Sequence, residues 1–328
     1  MAFHHEALLY DGVAEYAELL VPRVRAALGG GAVVLVIVPA DRLALLRPHL
    51  DDHRTPAGDL TFEDMDEVGA NPARILPRWQ AFLEEHPGRP LFGVGEPASP
   101  GPAARLDEAV VHEALLDATL AGAARAVDLT VLCPYDRTTL PTDVLAAAAT
   151  THPVVVDAAD GPRPSATYAP TAITADQLGP ALLPAPTGVR PVRFSASGIS
   201  DVRHQLRLAV TPLARGRVDD VELATAELLA NSVVHGGGAG EIRHWVDGRR
   251  LVVEVRDAGR ITDPLVGRRR PDPERPGGRG LWIANRLADL VQIRSGAHGT
   301  TVRLSFELDP AQGPHGGPGD HGTVDLEA

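Results

Sequence analysis

The chain has 328 residues, enough for two domains of ordinary size, and a formal net charge of −12 at pH 7. This acidity argues against nucleic acid as a direct partner, because contacts with phosphates require a basic surface. The single cysteine, Cys133, excludes an intramolecular disulfide and fits a reducing cytoplasm.

The N-terminal segment lacks the basic flank and apolar core of a signal peptide. The longest apolar run, residues 32–38, is too short to cross a bilayer. We therefore expect a soluble, cytoplasmic protein without membrane contact.

Strands and helices are predicted to alternate over residues 1–157. Residues 33–38 are an unbroken apolar run closed by Pro39, which is typical of a strand buried on both faces of a parallel sheet. Helical spacing predicts helices at 13–28, 41–50, 71–85, 105–121 and 143–150. Apolar runs predict further strands at 91–94, 130–133 and 154–156. The alternation predicts a three-layer α/β domain.

The remaining chain divides into a linker, a second domain and a tail. Residues 158–191 are rich in proline and turn formers and predict a semi-rigid linker, with one short helical segment at 174–177. The tail, 309–328, has many glycines and prolines and few hydrophobic residues, so we expect it to be disordered. In the second domain, 192–308, helices are predicted at 201–213, 218–235 and 280–290, and strands at 243–246, 251–255, 291–294 and 300–307.

Three polar side chains share one face of the helix predicted at 218–235. Glu227, Asn231 and His235 stand four residues apart, which places them on the same side of a helix. A carboxylate can act as a general base, and an amide oxygen suits Mg²⁺ that is bound mainly by phosphates and water. Taken singly, Glu227 also fits a surface position and Asn231 a cap or an interhelical hydrogen bond. The glycines at 236–238 make His235 most simply the end of the helix.

Two glycine turns follow further along the chain. Asp257 ends a predicted strand just before Gly259, where a carboxylate can accept a hydrogen bond from the exocyclic amine of adenine. Glycines before a helix let the backbone approach a phosphate, and the helix N-terminus favours the anion. The second turn, which precedes a helix predicted from Leu281, reads Gly277-Gly278-Arg279-Gly280.

Two further features accompany these turns. The segment between them, 261–276, carries three consecutive arginines at 268–270, and it is expected to form either a short lid over a phosphate or a solvated basic loop. Thr300 follows Gly299 at the start of the last strand, where it can hydrogen-bond near a bound base or simply begin the strand.

The absence of lysine limits how this chain can bind a nucleotide. All 31 residues counted as Lys or Arg are arginine, whereas P-loop nucleotidases and protein kinases place a lysine on the phosphates. The remaining common solution is the Bergerat-type pocket, in which metal and backbone amides hold the phosphates. The set Glu-x3-Asn-x3-His, Asp-x-Gly, Gly-x-Gly-Leu and Gly-Thr, in that order, makes residues 192–308 resemble the GHKL ATPases, and within them the RsbW-like anti-sigma-factor serine kinases.

This resemblance implies a C-terminal α/β two-layer sandwich that binds ATP and Mg²⁺. It implies that Glu227 is the catalytic base, that Asn231 binds Mg²⁺ and that Asp257 reads adenine. Ile261 stands where the family has the second glycine of its first glycine box, which implies a different lid. The implied partners are a sigma factor and a STAS-type anti-sigma-factor antagonist, and a homodimer is expected. The other residues expected at the nucleotide are Gly259, Gly277, Gly278, Arg279, Gly280, Leu281 and Thr300.

The N-terminal half carries a second resemblance. Short motifs including Phe3-His-His5, Asn71-Pro-Ala-Arg74, His112-Glu-Ala-Leu-Leu116 and Cys133-Pro-Tyr-Asp136 make residues 1–157 resemble the MEDS sensory domain. This implies a RecA-like α/β fold without its phosphate loop.

A metal site in this half is not favoured by the sequence. His5, His112, Cys133 and His152 are widely separated and lack the paired spacing of common metal sites, so structural hydrogen bonding is expected of them.

Three functions are compatible with this organisation. The first is an anti-sigma regulatory factor that sequesters a sigma factor and phosphorylates Ser or Thr of the antagonist under control of the sensory domain. The second is an ATP-binding regulatory module without kinase activity. The third is a histidine-kinase-like protein, against which His204 lacks the usual acidic neighbour and no dimerisation helix pair precedes the ATPase.

Overall fold

A computed structural model describes residues 3–51, 59–123, 128–158, 160–169, 179–214, 216–272, 274 and 278–308. The chain divides into two compact units, 1–172 and 173–328. Within the described residues, no helix combines the length and apolarity needed to cross a bilayer. The predicted disordered tail, the predicted helical segment at 174–177 and Gly277 lie outside the described residues.

The first unit contains a seven-stranded sheet in the order β3-β2-β4-β5-β1-β6-β7. Neighbouring strands are parallel except β6 and β7. A 3₁₀ helix spans Pro72–Arg74. The other elements, in chain order, are β1 (Phe3–Tyr10), α1 (Gly12–Gly29), β2 (Val33–Val38), α2 (Ala40–Leu50), β3 (Leu60–Asp64), α3 (Met65–Val68), α4 (Ile75–Glu85), β4 (Leu91–Gly95), α5 (Ala103–Ala123), β5 (Leu129–Asp136), α6 (Thr142–Thr151), β6 (Val154–Asp157) and β7 (Gly161–Pro164).

Helices cover both faces of this sheet, which confirms the three-layer α/β architecture. On one face α1 and α2 pack together over alternate residues of β2, including Val34 and Val36. On the other, α4 packs against α5 and α5 against α6. Trp79 of α4 lies flat against β4, where a Cβ on Gly93 or Gly95 would come within 3 Å of its ring. Those two positions therefore need glycine for helix and sheet to approach closely.

The second unit is a two-layer sandwich, as the sequence predicts. Its five-stranded antiparallel sheet has the order β11-β12-β10-β9-β8. Helices α7, α8 and α9 pack on the face formed by alternate apolar residues such as Leu251, Val253 and Val255. A 3₁₀ helix spans Ala196–Gly198. The elements are β8 (Val192–Ser195), α7 (Ile199–Val210), α8 (Val218–His235), β9 (Ala239–Asp247), β10 (Arg250–Asp257), α9 (Gly280–Leu287), β11 (Leu290–Gly296) and β12 (Gly299–Glu307).

The structure differs from the sequence predictions at several elements. Strands β1, β3, β7 and β8 were not predicted, since His5 and Glu6 interrupt the apolar pattern of β1 and the others are short. Helix α9 ends at Leu287 rather than 290, because Asp289 turns the chain by accepting hydrogen bonds from Arg217 and from the backbone of Glu307.

The predicted linker, 158–191, is structured at both ends. Gly161–Pro164 form β7 at the edge of the first sheet. At the other end the chain lies on the sheet of the second unit, where Arg294 donates to the carbonyl of Pro180 at 2.6 Å and Arg303 to that of Leu183 at 2.7 Å. Proline-rich composition alone does not reveal such docking, because the carbonyls that accept these hydrogen bonds are present in every residue.

Candidate functional site

A cavity of about 300 Å³ opens on the helical side of the second unit. Its walls come from the end of α8, the end of β10 and the loop that follows, the start of α9, and the start of β12. Segments separated by about 70 residues in sequence therefore meet at one place. The lining residues are Leu228, Asn231, Ser232, His235, Gly236, Val255, Asp257, Gly259, Arg260, Ile261, Thr262, Asp263, Val266, Gly278, Gly280, Leu281, Thr300 and Val302.

Asp257 is fixed at the inner wall of this cavity by two hydrogen bonds. The hydroxyl of Ser232, on α8, donates to Oδ2 at 2.6 Å, and the N–H of Gly259 donates to Oδ1 at 2.8 Å. Gly236 must lack a side chain because a Cβ there would lie 2.5 Å from the Asp257 carboxyl carbon. The carboxylate is thereby oriented while each oxygen keeps a lone pair for another donor.

A hydroxyl chain supports the turn after Asp257. Thr300 donates to the carbonyl of Gly259 at 2.9 Å, and the hydroxyls of Thr300 and Ser295 lie 2.8 Å apart. Ser295 also accepts from the N–H of Ile261 at 2.8 Å. Thr300 and Ser295 are buried, so these bonds hold the turn against β11 and β12. Of the two expectations for Thr300, the structure shows a side chain that fixes the Asp257 turn.

Glu227 and Asn231 meet the first residue of α9. A Cβ on Gly280 would lie 2.8 Å from Asn231 Nδ2 and 2.9 Å from Glu227 Oε2. Both side chains are half-buried and reach this point from successive turns of α8. Asn231 lines the cavity, whereas Glu227 lies beside it, next to the α9 N-terminus. The side-chain-free position at 280 leaves room for these two groups to approach the helix start.

The glycine turn before α9 is exposed and partly left-handed. Gly278 has a φ of +72°, which L-residues with side chains rarely adopt, and a Cβ there would meet nothing within 4 Å. Arg279 precedes the helix, its carbonyl accepting from Ile283 N–H at 2.8 Å, and Leu281 is buried in the core. The N–H groups at this helix start suit an anion.

The arginine-rich segment does not behave as one basic lid. Arg268 is buried and its N–H donates to the carbonyl of Leu265 at 2.9 Å. Arg269 forms an ion pair with Asp263, and Arg270 is exposed. His235 ends α8 as predicted, exposed, with Gly236 at the C-cap.

Sequence reasoning missed Ser232 and Ser295. Ser232 follows Asn231 directly and lies on the buried face of α8, so its helical position was the available signal. Ser295 could not be found in this way, because its role depends on the pairing of β11 with β12.

A second cavity of about 300 Å³ lies in the first unit, at the carboxyl ends of its parallel strands. Buried Glu96 lies in its wall and accepts hydrogen bonds from the phenols of Tyr10 and Tyr16 at 2.8 and 2.9 Å. Burial raises the pKa of Glu96 to about 7, and the two phenols and Arg42 limit the rise. The carboxyl ends of parallel strands are where open α/β sheets bind ligands.

The fold and cavity of the second unit define a Bergerat-type ATPase domain. Residues 195–306 match the histidine kinase-like ATPase domain family, and residues 4–153 match the MEDS family, described as the methanogen/methylotroph, DcmR sensory domain. The chain thus carries a MEDS domain followed by a histidine kinase-like ATPase domain, and ATP is the ligand that this domain implies.

Similar solved structures include the RsbU and RsbW domains of Rv1364c from Mycobacterium tuberculosis, with 25% identity, a TM-score of 0.27, and coverage of 38% of this chain and 33% of that chain. Another is an isolated ATPase domain, with 10% identity, a TM-score of 0.31, and coverage of 48% of this chain and 68% of that one. This chain therefore spans about a third of the first structure. No curated protein matches the chain.

Proposed function

We propose that the second unit binds ATP with Mg²⁺ and that the chain is an anti-sigma regulatory factor. In this function it sequesters a sigma factor and phosphorylates a Ser or Thr of a STAS-type antagonist, under control of the MEDS domain. The observation that carries the proposal is the convergence of Glu227, Asn231, Asp257 and the glycine turn before α9 around one cavity.

Each end of the cavity suits a different part of ATP. Asp257, fixed by Ser232 and Gly259, keeps lone pairs that can accept from the adenine amine. At the other end, the N–H groups at the start of α9 and the turn at Gly278 suit phosphate oxygens. The cavity volume of about 300 Å³ lies at the lower limit of the usual range for small-molecule sites.

The oxygen donors beside Gly280 fit a hard divalent cation. Asn231 offers an amide oxygen and Glu227 a carboxylate, and Mg²⁺ prefers such ligands together with water and phosphate. When bound, Mg²⁺ supplies positive charge that neutralises the phosphate oxygens. Asn231 would hold it, while Glu227, further along the same face, accepts the proton of the attacking hydroxyl. Backbone N–H groups of the α9 start stabilise the negative charge on the phosphoryl group.

A second candidate, ATP binding without phosphoryl transfer, is supported by Ile261. Its N–H is donated to Ser295 and its side chain packs against the hydrophobic core. The segment after Gly259 is therefore tied to the domain where the family has a glycine. A tied segment favours a stable bound state over the repeated opening that turnover requires.

The test uses the full-length chain and two measurements. Calorimetry with ATP and Mg²⁺ should show binding, and no binding would rule out both candidates. Incubation of the ATP-bound chain with a STAS-type antagonist, followed by mass spectrometry of the antagonist, should show one phosphorylated Ser or Thr. Binding without transfer to any antagonist would leave the second candidate.

A further inference from the structure

Four metal-ligating side chains meet in the interior of the first unit. They are His5 on β1, Glu113 on α5, Cys133 on β5 and His152 between α6 and β6. Their ligand atoms all lie within 4.8 Å of one another, and each residue is at most 2% exposed. The widely separated sequence positions thus converge, with Glu113 in place of the predicted His112.

The sheet topology brings these residues together. Strands β1 and β5 are parallel neighbours with Ala7 opposite Cys133, so His5, two residues before Ala7, points to the same face as Cys133. His152 immediately precedes β6, the strand on the other side of β1. Glu113 reaches this face from α5. Four elements therefore contribute one side chain each.

The distances within the cluster match the edges of a metal coordination tetrahedron. His5 Nε2 lies 3.0 Å from Glu113 Oε2 and 3.4 Å from Cys133 Sγ. Glu113 Oε2 lies 3.6 Å from Cys133 Sγ and 3.4 Å from His152 Nε2. With zinc–ligand bonds of about 2.0–2.3 Å, neighbouring ligand atoms of a tetrahedral site are about 3.3–3.6 Å apart.

His152 is oriented as metal-binding histidines are. Its Nδ1 lies 2.8 Å from the carbonyl of Ala148, which only accepts, so Nδ1 carries the hydrogen. The hydroxyl of Thr151, 3.0 Å from the same nitrogen, lies at equal distance from the carbonyl of Ala147 and can donate there. In the neutral ring, Nε2 then presents a lone pair to the cluster. A hydrogen bond from the other ring nitrogen to a carbonyl is the usual support of a histidine ligand.

Two buried atoms in the cluster lack a hydrogen-bond partner among the described residues. They are His152 Nε2 and Glu113 Oε1. A lone pair on Nε2 facing a carboxylate oxygen at 3.4 Å is repulsive unless a positive charge lies between them. Buried polar atoms of native proteins nearly always have partners, so these two point to a missing one.

The charges of the cluster also call for a cation. Burial alone would raise the pKa of Glu113, but hydrogen bonds and attraction from His152 and His5 hold it below its ordinary value. Burial, followed by repulsion from His5, lowers the pKa of His152. A buried carboxylate with neutral imidazoles is uncompensated, whereas a divalent ion bound by one carboxylate and one thiolate is balanced.

We propose that His5, Glu113, Cys133 and His152 bind one divalent transition-metal ion, with zinc preferred, in a closed four-ligand site. Two imidazoles, a thiolate and a carboxylate form a donor set that suits zinc. Four protein ligands leave no open position, so the site braces β1, β5, α5 and the start of β6 rather than performing catalysis. On binding, the thiol proton of Cys133 is released to solvent and no oxidant or reductant is required.

The site is enclosed by aromatic rings. Phe3 stacks on His5 with ring centroids 5.9 Å apart, and Tyr135 contacts the His152 ring edge-on at 5.6 Å. Because every ligand is buried, the metal should enter as the domain folds and exchange slowly afterwards.

The full-length chain, purified without a histidine tag from zinc-supplemented medium, tests this directly. Elemental analysis should find one zinc per chain, and removal by a chelator should lower the melting temperature. Cys133→Ser and His152→Asn should lose the metal. His4→Asn, which changes an exposed histidine adjacent to His5 on β1, should retain it.

Cobalt supplies a readout that does not depend on whether the variants fold. Wild-type protein refolded with Co²⁺ under reducing conditions should show a thiolate-to-cobalt charge-transfer band and the visible bands of a tetrahedral site. A folded wild-type chain that contains no metal, and that refolds with Zn²⁺ or Co²⁺ without binding either, would overturn the proposal. The cluster would then be held by a proton in place of a metal.

Discussion

The two polar sites of this chain are built in opposite ways. The ATPase cavity is open, and its walls are largely backbone, glycine turns and half-buried side chains such as Asn231. The His–Glu–Cys cluster consists of four fully buried side chains that contact one another directly. The first arrangement leaves space for a large ligand to enter and leave, whereas the second has room only for an ion that stays.

The comparison extends to how acidic groups are used. In the cavity, Asp257 is oriented by donors and still accessible to a ligand. In the cluster, Glu113 is buried among histidines that favour its charged form. We infer that changes in the cavity should alter binding and turnover with little effect on folding, and that changes in the cluster should alter stability first.

The largest effect is expected from Glu227→Gln, which keeps the shape of the side chain but cannot accept a proton. Loss of a general base lowers the rate by about 10²–10⁴, so phosphoryl transfer should fall by that factor while ATP still binds. Glu222→Gln is the matched control, since Glu222 lies on the same helix and pairs with Arg203 and Arg207. Transfer at the wild-type rate in Glu227→Gln would exclude Glu227 as the base.

The next largest effect is expected from Asp257→Asn. The amide can still contact Ser232 and Gly259, but it places a donor where a ligand amine would need an acceptor. An unsatisfied buried partner costs about 1–3 kcal/mol, so calorimetry should show ATP affinity weaker by about 5- to 150-fold. Asp263→Asn changes an exposed residue of the same cavity and should have little effect. Equal loss in both variants would mean that cavity charge, rather than adenine recognition, is responsible.

Glu96 supplies a smaller effect and sharpens the contrast with Glu113. Its pKa of about 7 in the folded chain exceeds the ordinary 4.5, so folding retains a proton that the unfolded chain releases. Its stabilising contribution is therefore full below pH 4.5 and falls by up to about 1.4 kcal/mol per pH unit as the pH rises towards 7.

Urea unfolding of wild type and Glu96→Gln across this range isolates the contribution of Glu96. The unfolding free energy of the variant, minus that of wild type, should increase from pH 4.5 to 7 and then level off. Glu84→Gln, at an exposed glutamate of α4, should show no such trend. A flat difference for Glu96→Gln would mean that Glu96 titrates alike in both states.

The smallest effect is expected from Gly280→Ala. The new Cβ would press on Asn231 and Glu227, and moving a side chain off its rotamer costs about 0.5–1.5 kcal/mol. ATP affinity should fall by about two- to tenfold, while the melting temperature stays close to that of wild type. Gly296→Ala, where an added Cβ meets nothing within 4 Å, is the control. Unchanged affinity in Gly280→Ala would show that the two side chains can shift freely.

Local sequence patterns predicted the parts of this chain whose structure is decided locally. The bounds of α8 and β2 agree with the sequence predictions, since one has strong helical spacing and the other an unbroken apolar run. The ordered motifs also led to the correct fold class for both units. The pocket residues were nameable because glycine turns and a helix face have visible spacing.

Other features depend on contacts between distant residues and left no local signal. The approach of His5, Cys133 and His152 follows from which strands are neighbours, and the sequence shows only their separation. The role of Ser295 depends likewise on strand pairing. For Gly161–Pro164, proline content predicted a linker although the segment pairs with β6.

The composition of β7 has a consequence for the solubility of the chain. An unprotected edge strand offers a template on which another sheet can grow. Pro162 and Pro164 have no N–H, and residues two apart direct their N–H groups to the same side of a strand. Arg163 lies between them and remains able to donate towards β6, which leaves the outer side poor in donors and beside a cationic side chain. The strand thereby ends the sheet and discourages edge-to-edge aggregation.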